Sequence, residues 1–240
     1  MKLHIYDSPA ETIKGLTEFV VTTVNEAITE KGKCSMVLSG GSSPKKLYQL
    51  LTTPAYKNKV DWGKVFFFFG DERYVPFTDK DNNGQMAKQS LLDPLGIPEE
   101  RIFYFNTSLS PEEAAKDYEK KIHDFTNNRS AHFDLILLGL GDNAHTASLF
   151  PHTSVLQEKK LLVAAPYIDE LGSYRLTMSA PLINNAKQIA FLVYGEKKAK
   201  AVFHVLRSPE NIDEYPAQLI GSKRNSVHWF LDKEASALIE

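Results

Sequence analysis

The stretch FDLILLGLGDNAHTASLFP, residues 133–151, constrains the fold more than any other part of the sequence. Its apolar run, residues 135–138, is too continuous for a half-exposed strand and too short for a helix. Such a run predicts a strand that is buried on both faces, as in a parallel sheet. Gly139 and Gly141 then allow the backbone to turn sharply, so the polar residues that follow are expected at the carboxyl end of the strand.

His145 lies just beyond this turn, and no other histidine in the sequence has such a setting. Pro151 ends whatever short helix forms after the turn. His145 is therefore expected at the carboxyl edge of the sheet, beside the exposed N–H groups of a helix start. Open α/β sheets bind their ligands at this edge.

The rest of the sequence alternates between apolar strands and amphipathic helices. Strands are predicted at residues 3–6, 34–38, 65–69, 102–105, 135–138, 161–165, 175–178, 188–194 and 227–231. Helices are predicted at residues 10–31, from the turn at 39–44 through Leu51, and at 86–92, 111–125, 197–206 and from 233 onward. This order predicts a single α/β domain over residues 1–240, with a mostly parallel central sheet and helices on both faces.

Charge and cysteine content exclude several classes of function. The formal net charge is −2, which gives no electrostatic basis for nucleic acid or an anionic membrane as the main partner. Cys34 is the sole cysteine, so an internal disulfide and a cysteine-based zinc site are excluded. No pair of histidines has metal-ligand spacing, and we expect no metal. The N-terminus lacks a signal-peptide core and no apolar run reaches the ~18 residues of a membrane span, so a cytoplasmic protein is expected.

Three predicted strands end in glycine followed by polar residues: SGGSSP at 39–44, GDER at 70–73 and GLGDNAH at 139–145. Three such endings at the carboxyl edge of one sheet would converge on a single crevice.

The first ending suits an anion. Gly40 and Gly41 permit close approach of the backbone, Ser43 can cap the helix, and Pro44 occupies its first turn, so free N–H groups face the crevice. The alternative is a Ser-Pro helix cap that binds nothing.

The second ending places Asp71, Glu72 and Arg73 beside an apolar strand, where unpaired charge is costly. These side chains either pair with one another or point into a polar site, and their place at a strand end favours the site. Arg175 and Lys198 are two further cations expected at the crevice, with surface solvation as the alternative.

At the third ending, His145 can act as a neutral base near neutral pH, since the pKa of free imidazole is about 6.5. A histidine that only caps a helix is the alternative. Ser148 follows at i+3, on the same helical face, but no GxSxG elbow supports a serine nucleophile. Water is therefore favoured over Ser148 as the attacking group.

Five segments together resemble the 6-phosphogluconolactonase family, whose relatives include glucosamine-6-phosphate deaminase. They are SGGSSPKKLYQLL, FFGDERYVPFTDKDNNGQMA, GLGDNAHTASLFP, RLTMSAPLINNAKQIAFLVYGEKKAKAV and YPAQLI, and they occur in the family's order and spacing. The resemblance implies a Rossmann-like three-layer αβα fold, like that of the deaminase. It also implies hydrolysis of 6-phospho-D-glucono-1,5-lactone to 6-phospho-D-gluconate in the oxidative pentose phosphate pathway, without a cofactor.

The resemblance also assigns roles to individual residues. His145 matches the histidine that activates water, and Arg73, Arg175 and Lys198 match cationic positions near the substrate. Apart from the resemblance, Asp71, Arg73 and Asn143 are counted with His145 as candidate catalytic residues. The substrate and its phosphate are expected to bind Gly40, Gly41, Ser42, Ser43, Asn83, Arg175 and Lys198. The tetrahedral oxyanion is expected to face either Arg73 or backbone N–H groups after Gly141.

The sequence departs from the family pattern beside the base. Family members usually read Asp-Gly before this histidine, whereas here the pair is Asn143-Ala144. A carboxylate stabilises an imidazolium, but an amide only orients the ring. The supporting role would otherwise shift to Asp142 or Asp71.

Two other functions remain open. The related deaminase carries a glutamate five residues after its motif histidine, where this sequence has Phe150, and an apolar ring cannot transfer protons. A sugar-phosphate sensor that keeps the phosphate loop but not the chemistry is the second alternative, and Asn143 is the feature that supports it.

Overall fold

The computed structural model describes residues 1–221 and 226–239. The strands are β1 (Lys2–Tyr6), β2 (Cys34–Leu38), β3 (Val65–Phe69), β4 (Asp71–Arg73), β5 (Leu135–Leu138), β6 (Val163–Ala164), β7 (Tyr167–Ile168), β8 (Ser173–Met178), β9 (Gln188–Val193) and β10 (Ser226–Asp232). The α-helices are α1 (Pro9–Lys31), α2 (Ser42–Leu51), α3 (Asn83–Ala87), α4 (Asp93–Leu95), α5 (Pro111–Phe125), α6 (Ala180–Asn184), α7 (Ala199–Arg207) and α8 (Lys233–Ser236).

Six strands form a parallel sheet in the order β1-β10-β9-β5-β2-β3. Every neighbouring pair in this sheet is parallel, so the carboxyl ends of the strands lie along one edge. Helices flank the sheet in a three-layer arrangement, which confirms the predicted fold class. The chain passes from β2 to β3 on one side of β2 and returns to place β5 on its other side. The switch point of the fold therefore lies between β2 and β5.

A second, smaller sheet was not foreseen from the sequence. It has the order β4-β8-β6, with β7 also paired to β8, and its pairs are antiparallel. Because β4 follows β3 after Gly70 alone, this sheet continues from the carboxyl edge of the main sheet. The main-chain N–H of Met178 donates to the carbonyl of Gly70 at the junction, at 2.8 Å.

The predicted strand at residues 102–105 is wrong. Ile102 makes a single bridge to Phe67, and the N–H of Phe103 donates to the carbonyl of Phe67 at 2.9 Å. The apolar character of this segment serves packing instead, because the ring of Phe105 stacks on Tyr118 with centroids 3.6 Å apart. The predicted helix at 86–92 is present as the end of α3 and a π-helical segment, Lys88–Leu92.

The helix boundaries follow the capping residues in the sequence. The Ser8 side chain accepts a hydrogen bond from the N–H of Glu11 at the start of α1, and Gly32 ends that helix in the left-handed conformation, with φ of 77°. Ser110 and Glu113 form a reciprocal capping box at the start of α5. Among the described helices, none is long and apolar enough to cross a membrane.

Two buried tyrosines fix the carboxyl ends of β2 and β3. The Tyr48 hydroxyl, on α2, accepts from the N–H of Ser39 at 2.9 Å and donates to the carbonyl of Ser39 at 2.8 Å. The Tyr118 hydroxyl, on α5, accepts from the N–H of Phe69 at 2.7 Å and donates to its carbonyl at 3.2 Å. The hydroxyls thus satisfy the backbone groups of Ser39, which begins the loop at 39–44, and of Phe69, which precedes the loop at 70–73.

Replacing Tyr118 with Phe should lower the free energy of unfolding by about 1–3 kcal/mol, because the buried N–H and carbonyl of Phe69 then lose their partner. Tyr48→Phe should have a similar effect through Ser39. Urea denaturation of both variants measures the change. The exposed Tyr167 provides the control, since Tyr167→Phe removes a hydroxyl at a side chain that is 48% exposed. Equal stabilities of Tyr118→Phe and Tyr167→Phe would contradict the role given to the buried hydroxyl.

Candidate active site

A cavity of about 240 Å³ opens at the switch point, beyond the carboxyl ends of β2 and β5. Residues from all three glycine-containing strand endings line it, so these endings converge on one crevice as predicted. The lining residues are Ser39, Gly40, Asp71, Arg73, Asn83, Gly139, Leu140, Gly141, His145, Thr146, Ala147 and Lys198.

A larger cavity of about 600 Å³ lies beside Phe77 and Tyr104. In the described part of the chain its lining contains no histidine or carboxylate side chain, and Lys121 is its one charged residue. The smaller cavity is therefore the better candidate for chemistry, because it combines a histidine, a carboxylate and two cations.

The loop that carries His145 is a series of turns, and the short helix predicted after Gly141 is absent from it. Ala144 and Ala147 adopt left-handed backbone conformations, with φ of 60° and 47°. The N–H of Gly141 donates to the carbonyl of His145 at 2.8 Å, which closes the loop on itself. The expectation that helix N–H groups lie beside His145 is therefore wrong, because left-handed residues interrupt the helical path.

Asn143 orients the His145 ring and sets its tautomer. The Oδ1 of Asn143 accepts from the backbone N–H of His145 at 3.3 Å and lies 2.5 Å from Nδ1 of the ring. Because an amide oxygen only accepts, Nδ1 carries the proton and Nε2 is left with a lone pair. On its face the ring stacks against Phe150, with centroids 4.1 Å apart.

The surroundings of His145 keep its ring neutral. Burial lowers the pKa of His145 to about 4, and the positive charges of Lys198, Arg175 and Arg73 act in the same direction. Asp142 opposes them, but it is exposed and paired with Lys198 at 2.6 Å. The imidazole is therefore uncharged throughout the neutral pH range.

Asp71, which lines the cavity, is hydrogen-bonded to Ser148. The Ser148 hydroxyl donates to Oδ2 of Asp71 at 2.7 Å, and Ser148 is buried. Burial raises the pKa of Asp71, while the hydrogen bond from Ser148 and the charges of Arg73 and Arg175 oppose the rise. The expectation that Ser148 shares a helical face with His145 is wrong, because the segment is not helical.

Asn83 lies directly over Gly40. A Cβ atom on Gly40 would stand 1.8 Å from Oδ1 of Asn83, so only glycine admits this contact. Nδ2 of Asn83 donates to the carbonyl of Asp71 at 3.0 Å. Its Oδ1 is buried and has no hydrogen-bond partner among the described residues, which leaves one acceptor at the cavity for a ligand.

Two cations, Arg73 and Lys198, line the cavity, and a third, Arg175, lies outside the lining beside Arg73. Arg73 and Arg175 are direct neighbours across the β4–β8 pair. Burial and the charge of Arg73 lower the pKa of Arg175, so two like charges are held together in a partly buried place. Lys198 donates from Nζ to the carbonyl of Leu140 at 2.7 Å. An anion bound here would relieve the repulsion between Arg73 and Arg175.

Ser42 and Ser43 lie at the first turn of α2, but neither is among the residues that line the cavity. Gly41, with φ of 107°, occupies the N-cap position and has no side chain to cap the helix. The prediction that Ser43 is the cap is therefore wrong, because the helix begins at Ser42 and Ser43 lies within its first turn. The first-turn N–H groups of α2 have no acceptor within the helix.

Comparisons with known proteins identify the group to which this sequence is related. The profile of the family described as glucosamine-6-phosphate isomerases/6-phosphogluconolactonase matches residues 7–229. The chain belongs to this family.

A curated relative from Synechocystis sp., named 6-phosphogluconolactonase, is 40% identical over 220 residues, which cover 90% of this chain and 89% of the relative. The solved structure of 6-phosphogluconolactonase from Trypanosoma brucei superposes with a TM-score of 0.87 at 27% identity, covering 100% of this chain and 98% of that one. A monomeric glucosamine-6-phosphate deaminase, at 21% identity and a TM-score of 0.83, shares the fold.

Gly141→Ala should displace the His145 ring, because a Cβ atom there would stand 2.0 Å from Nδ1. A displaced ring loses its burial, so the pKa of His145 should rise from about 4 toward 6.5. Titration of the ring protons by NMR measures this change. Gly139→Ala is the matched control, since no atom of the described residues lies within 4 Å of its Cβ position. An unchanged titration in Gly141→Ala would show that the ring is not packed against this glycine.

Proposed function

We propose that this chain hydrolyses 6-phospho-D-glucono-1,5-lactone to 6-phospho-D-gluconate, the reaction of the oxidative pentose phosphate pathway for which its relatives are named. The observation that carries the proposal is the neutral His145 imidazole, with its Nε2 lone pair available, in a cavity lined by Arg73 and Lys198, with Arg175 beside Arg73. A base and a site for an anion are the two features that hydrolysis of a phosphorylated lactone requires.

His145 acts as the general base. Nε2 takes a proton from a water molecule as the water oxygen attacks the lactone carbonyl carbon. Asn143 holds the ring through Nδ1, so the same nitrogen, Nε2, then returns the proton to the ring oxygen of the lactone as the C–O bond breaks. The net reaction adds one water molecule to the ester.

Arg73 stabilises the tetrahedral oxyanion. The N–H groups of Gly141, Ala144 and His145 already donate within their own loop, so these three groups are not available to the oxyanion. Arg73 lines the cavity, and its Nη1 donates one hydrogen bond to the carbonyl of Asp81 at 2.8 Å. Its remaining donors are available to a developing negative charge.

The phosphate binds on the cationic side of the site. The first-turn N–H groups of Ser42 and Ser43, the Arg175 guanidinium and the Lys198 ammonium supply its donors, with Gly40 and Gly41 giving room for close approach. The unpaired Oδ1 of Asn83 accepts from a sugar hydroxyl.

The ring of Phe150 argues against deamination. It stacks on His145 at the position where the related deaminase carries its glutamate, and it holds no proton to transfer. The shared fold with the monomeric deaminase does not favour that activity, because a fold hosts many chemistries.

An assay with freshly made lactone, corrected for spontaneous hydrolysis, tests the proposal. Wild-type protein should accelerate hydrolysis, and His145→Ala should lower kcat by about 10²–10⁴-fold with a smaller change in KM. His123→Ala, at an exposed histidine on α5, is the control and should retain the wild-type rate. A wild-type chain that binds 6-phosphogluconate without accelerating hydrolysis would instead be a sugar-phosphate sensor.

The pH dependence tests the role of Asn143. Because the pKa of His145 is about 4, kcat of the wild type should be insensitive to this group at neutral pH, and protonation of the base should lower kcat only as the pH drops through about 4. In Asn143→Asp, a carboxylate beside Nδ1 favours the imidazolium and raises the pKa of His145. The acid limb of the pH–rate profile should therefore move to higher pH. Identical acid limbs in the two proteins would show that residue 143 does not contact the base.

A further inference from the structure

Glu72 is a buried carboxylate that the proposed mechanism does not use. It lies in β4 between Asp71 and Arg73, opposite Leu176 of β8, and only 2% of its surface is exposed. Since side chains alternate along a strand, Glu72 points away from the face on which Asp71 and Arg73 lie. A carboxylate enclosed in this way is costly unless hydrogen bonds compensate for the lost solvation.

Three backbone N–H groups provide this compensation. Oε1 of Glu72 accepts from the N–H of Arg73 at 2.8 Å and from the N–H of Asn83 at 2.7 Å. Oε2 accepts from the N–H of Gly84 at 2.8 Å. Asn83 and Gly84 begin α3, so the carboxylate joins β4 to the start of a helix eleven positions further along the chain.

This junction determines where two cavity residues lie. The Asn83 side chain packs over Gly40, and its backbone is held by Glu72. Arg73 is held at its N–H by Glu72 and at Nη1 by the carbonyl of Asp81, in the loop that leads into α3. Gly84 packs closely against Tyr104, because a Cβ atom on Gly84 would stand 2.9 Å from the Tyr104 ring.

We propose that Glu72 is a positioning residue that, while ionised, holds Asn83 and Arg73 in their substrate-binding geometry. The inference rests on the proposed function, because the proposed function places Asn83 and Arg73 in contact with the lactone substrate. Asn83 and Arg73 contact the substrate, and Glu72 acts through them.

The ionisation of Glu72 falls in the physiological range. Burial raises its pKa from 4.5 to about 7, and the N–H groups of Asn83, Gly84 and Arg73 limit the rise. The negative charge of Asp71 also raises the pKa of Glu72. The other charged and titratable groups near Glu72 are Arg73 on β4, Arg175 on β8 and the Tyr118 hydroxyl on α5. Protonation would place an O–H against an N–H donor and release one of the three backbone bonds.

Stability alone does not account for this carboxylate. Its pKa in the fold lies above the ordinary value of 4.5, so the free energy of unfolding decreases as the pH rises from there through about 7. Above that pH the ionised group weakens the fold while making all three of its hydrogen bonds to the site. A cost of this kind is typical of groups that are retained for function.

Kinetics of Glu72→Gln test the proposal. A glutamine presents an amide N–H₂ to one of the three N–H donors, so KM for the phosphorylated lactone should rise about tenfold at pH 8, with a smaller change in kcat. The difference from wild type should narrow at pH 6, where wild-type Glu72 is itself mostly protonated. Because both proteins receive the same substrate, titration of its phosphate cancels in the comparison.

Glu119→Gln is the matched control. Its carboxylate also accepts from two backbone N–H groups, those of Leu162 and Val163, but it lies on α5 and outside the cavity lining. KM should be unchanged in this variant. An unchanged KM in Glu72→Gln at pH 8, or an equal rise in Glu119→Gln, would overturn the proposal.

A measurement on the wild-type protein covers the case in which Glu72→Gln does not fold. NMR of protein labelled at glutamate Cδ and asparagine Nδ2 should show one glutamate titrating near pH 7, with the Asn83 amide resonance following the same midpoint. An Asn83 amide that does not respond would overturn the role of Glu72. This result is independent of turnover, so a chain that fails to hydrolyse the lactone refutes the proposed function separately.

Discussion

The parallel alignment of β3, β2 and β5 is the constraint on which the rest of the structure depends. Their hydrogen-bonded register brings three loops that are distant in the sequence to one edge of the sheet, at the point where the strand order reverses. The hydroxyls of Tyr48 and Tyr118 secure the ends of two of these strands. The cavity is therefore built on rigid strand ends, although its lining comes from loops.

The electrostatics of the site follow from this convergence. Arg73, Lys198 and a partly enclosed imidazole share one crevice with Arg175 close by, and both burial and positive charge keep His145 neutral. In such surroundings an uncharged partner at residue 143 is consistent with a free base, because a carboxylate there would draw a proton onto the ring. Asn143 thus places no charge beside the base while it supplies a hydrogen-bond acceptor at Nδ1.

Much of the fold could be predicted because the continuous apolar runs and the helix-capping residues of the sequence agree with the tertiary structure. The buried strands at 34–38, 65–69 and 135–138 and the capped helix at 111–125 have the predicted bounds. The errors arose where tertiary contacts replace local preference. The segment 102–105 packs its apolar side chains beside β3 without forming a ladder, and the loop around His145 uses left-handed residues in place of a helix. The antiparallel sheet, which brings Arg175 beside Arg73, depends on pairing over a hundred positions of sequence and has no local signature.

The sequence by itself determined which side chains stand at the ends of buried strands, because hydrophobic period and glycine turns are local properties. It therefore placed Asp71, Arg73 and His145 at the carboxyl edge. Only the tertiary structure decided how those residues are used: Asn83 over Gly40, the Ser148 hydroxyl on Asp71, and Glu72 turned away from the cavity to hold its neighbours. These contacts join segments whose separation along the chain carries no periodic signal, and their free energies depend on burial, which exists only once the chain has folded.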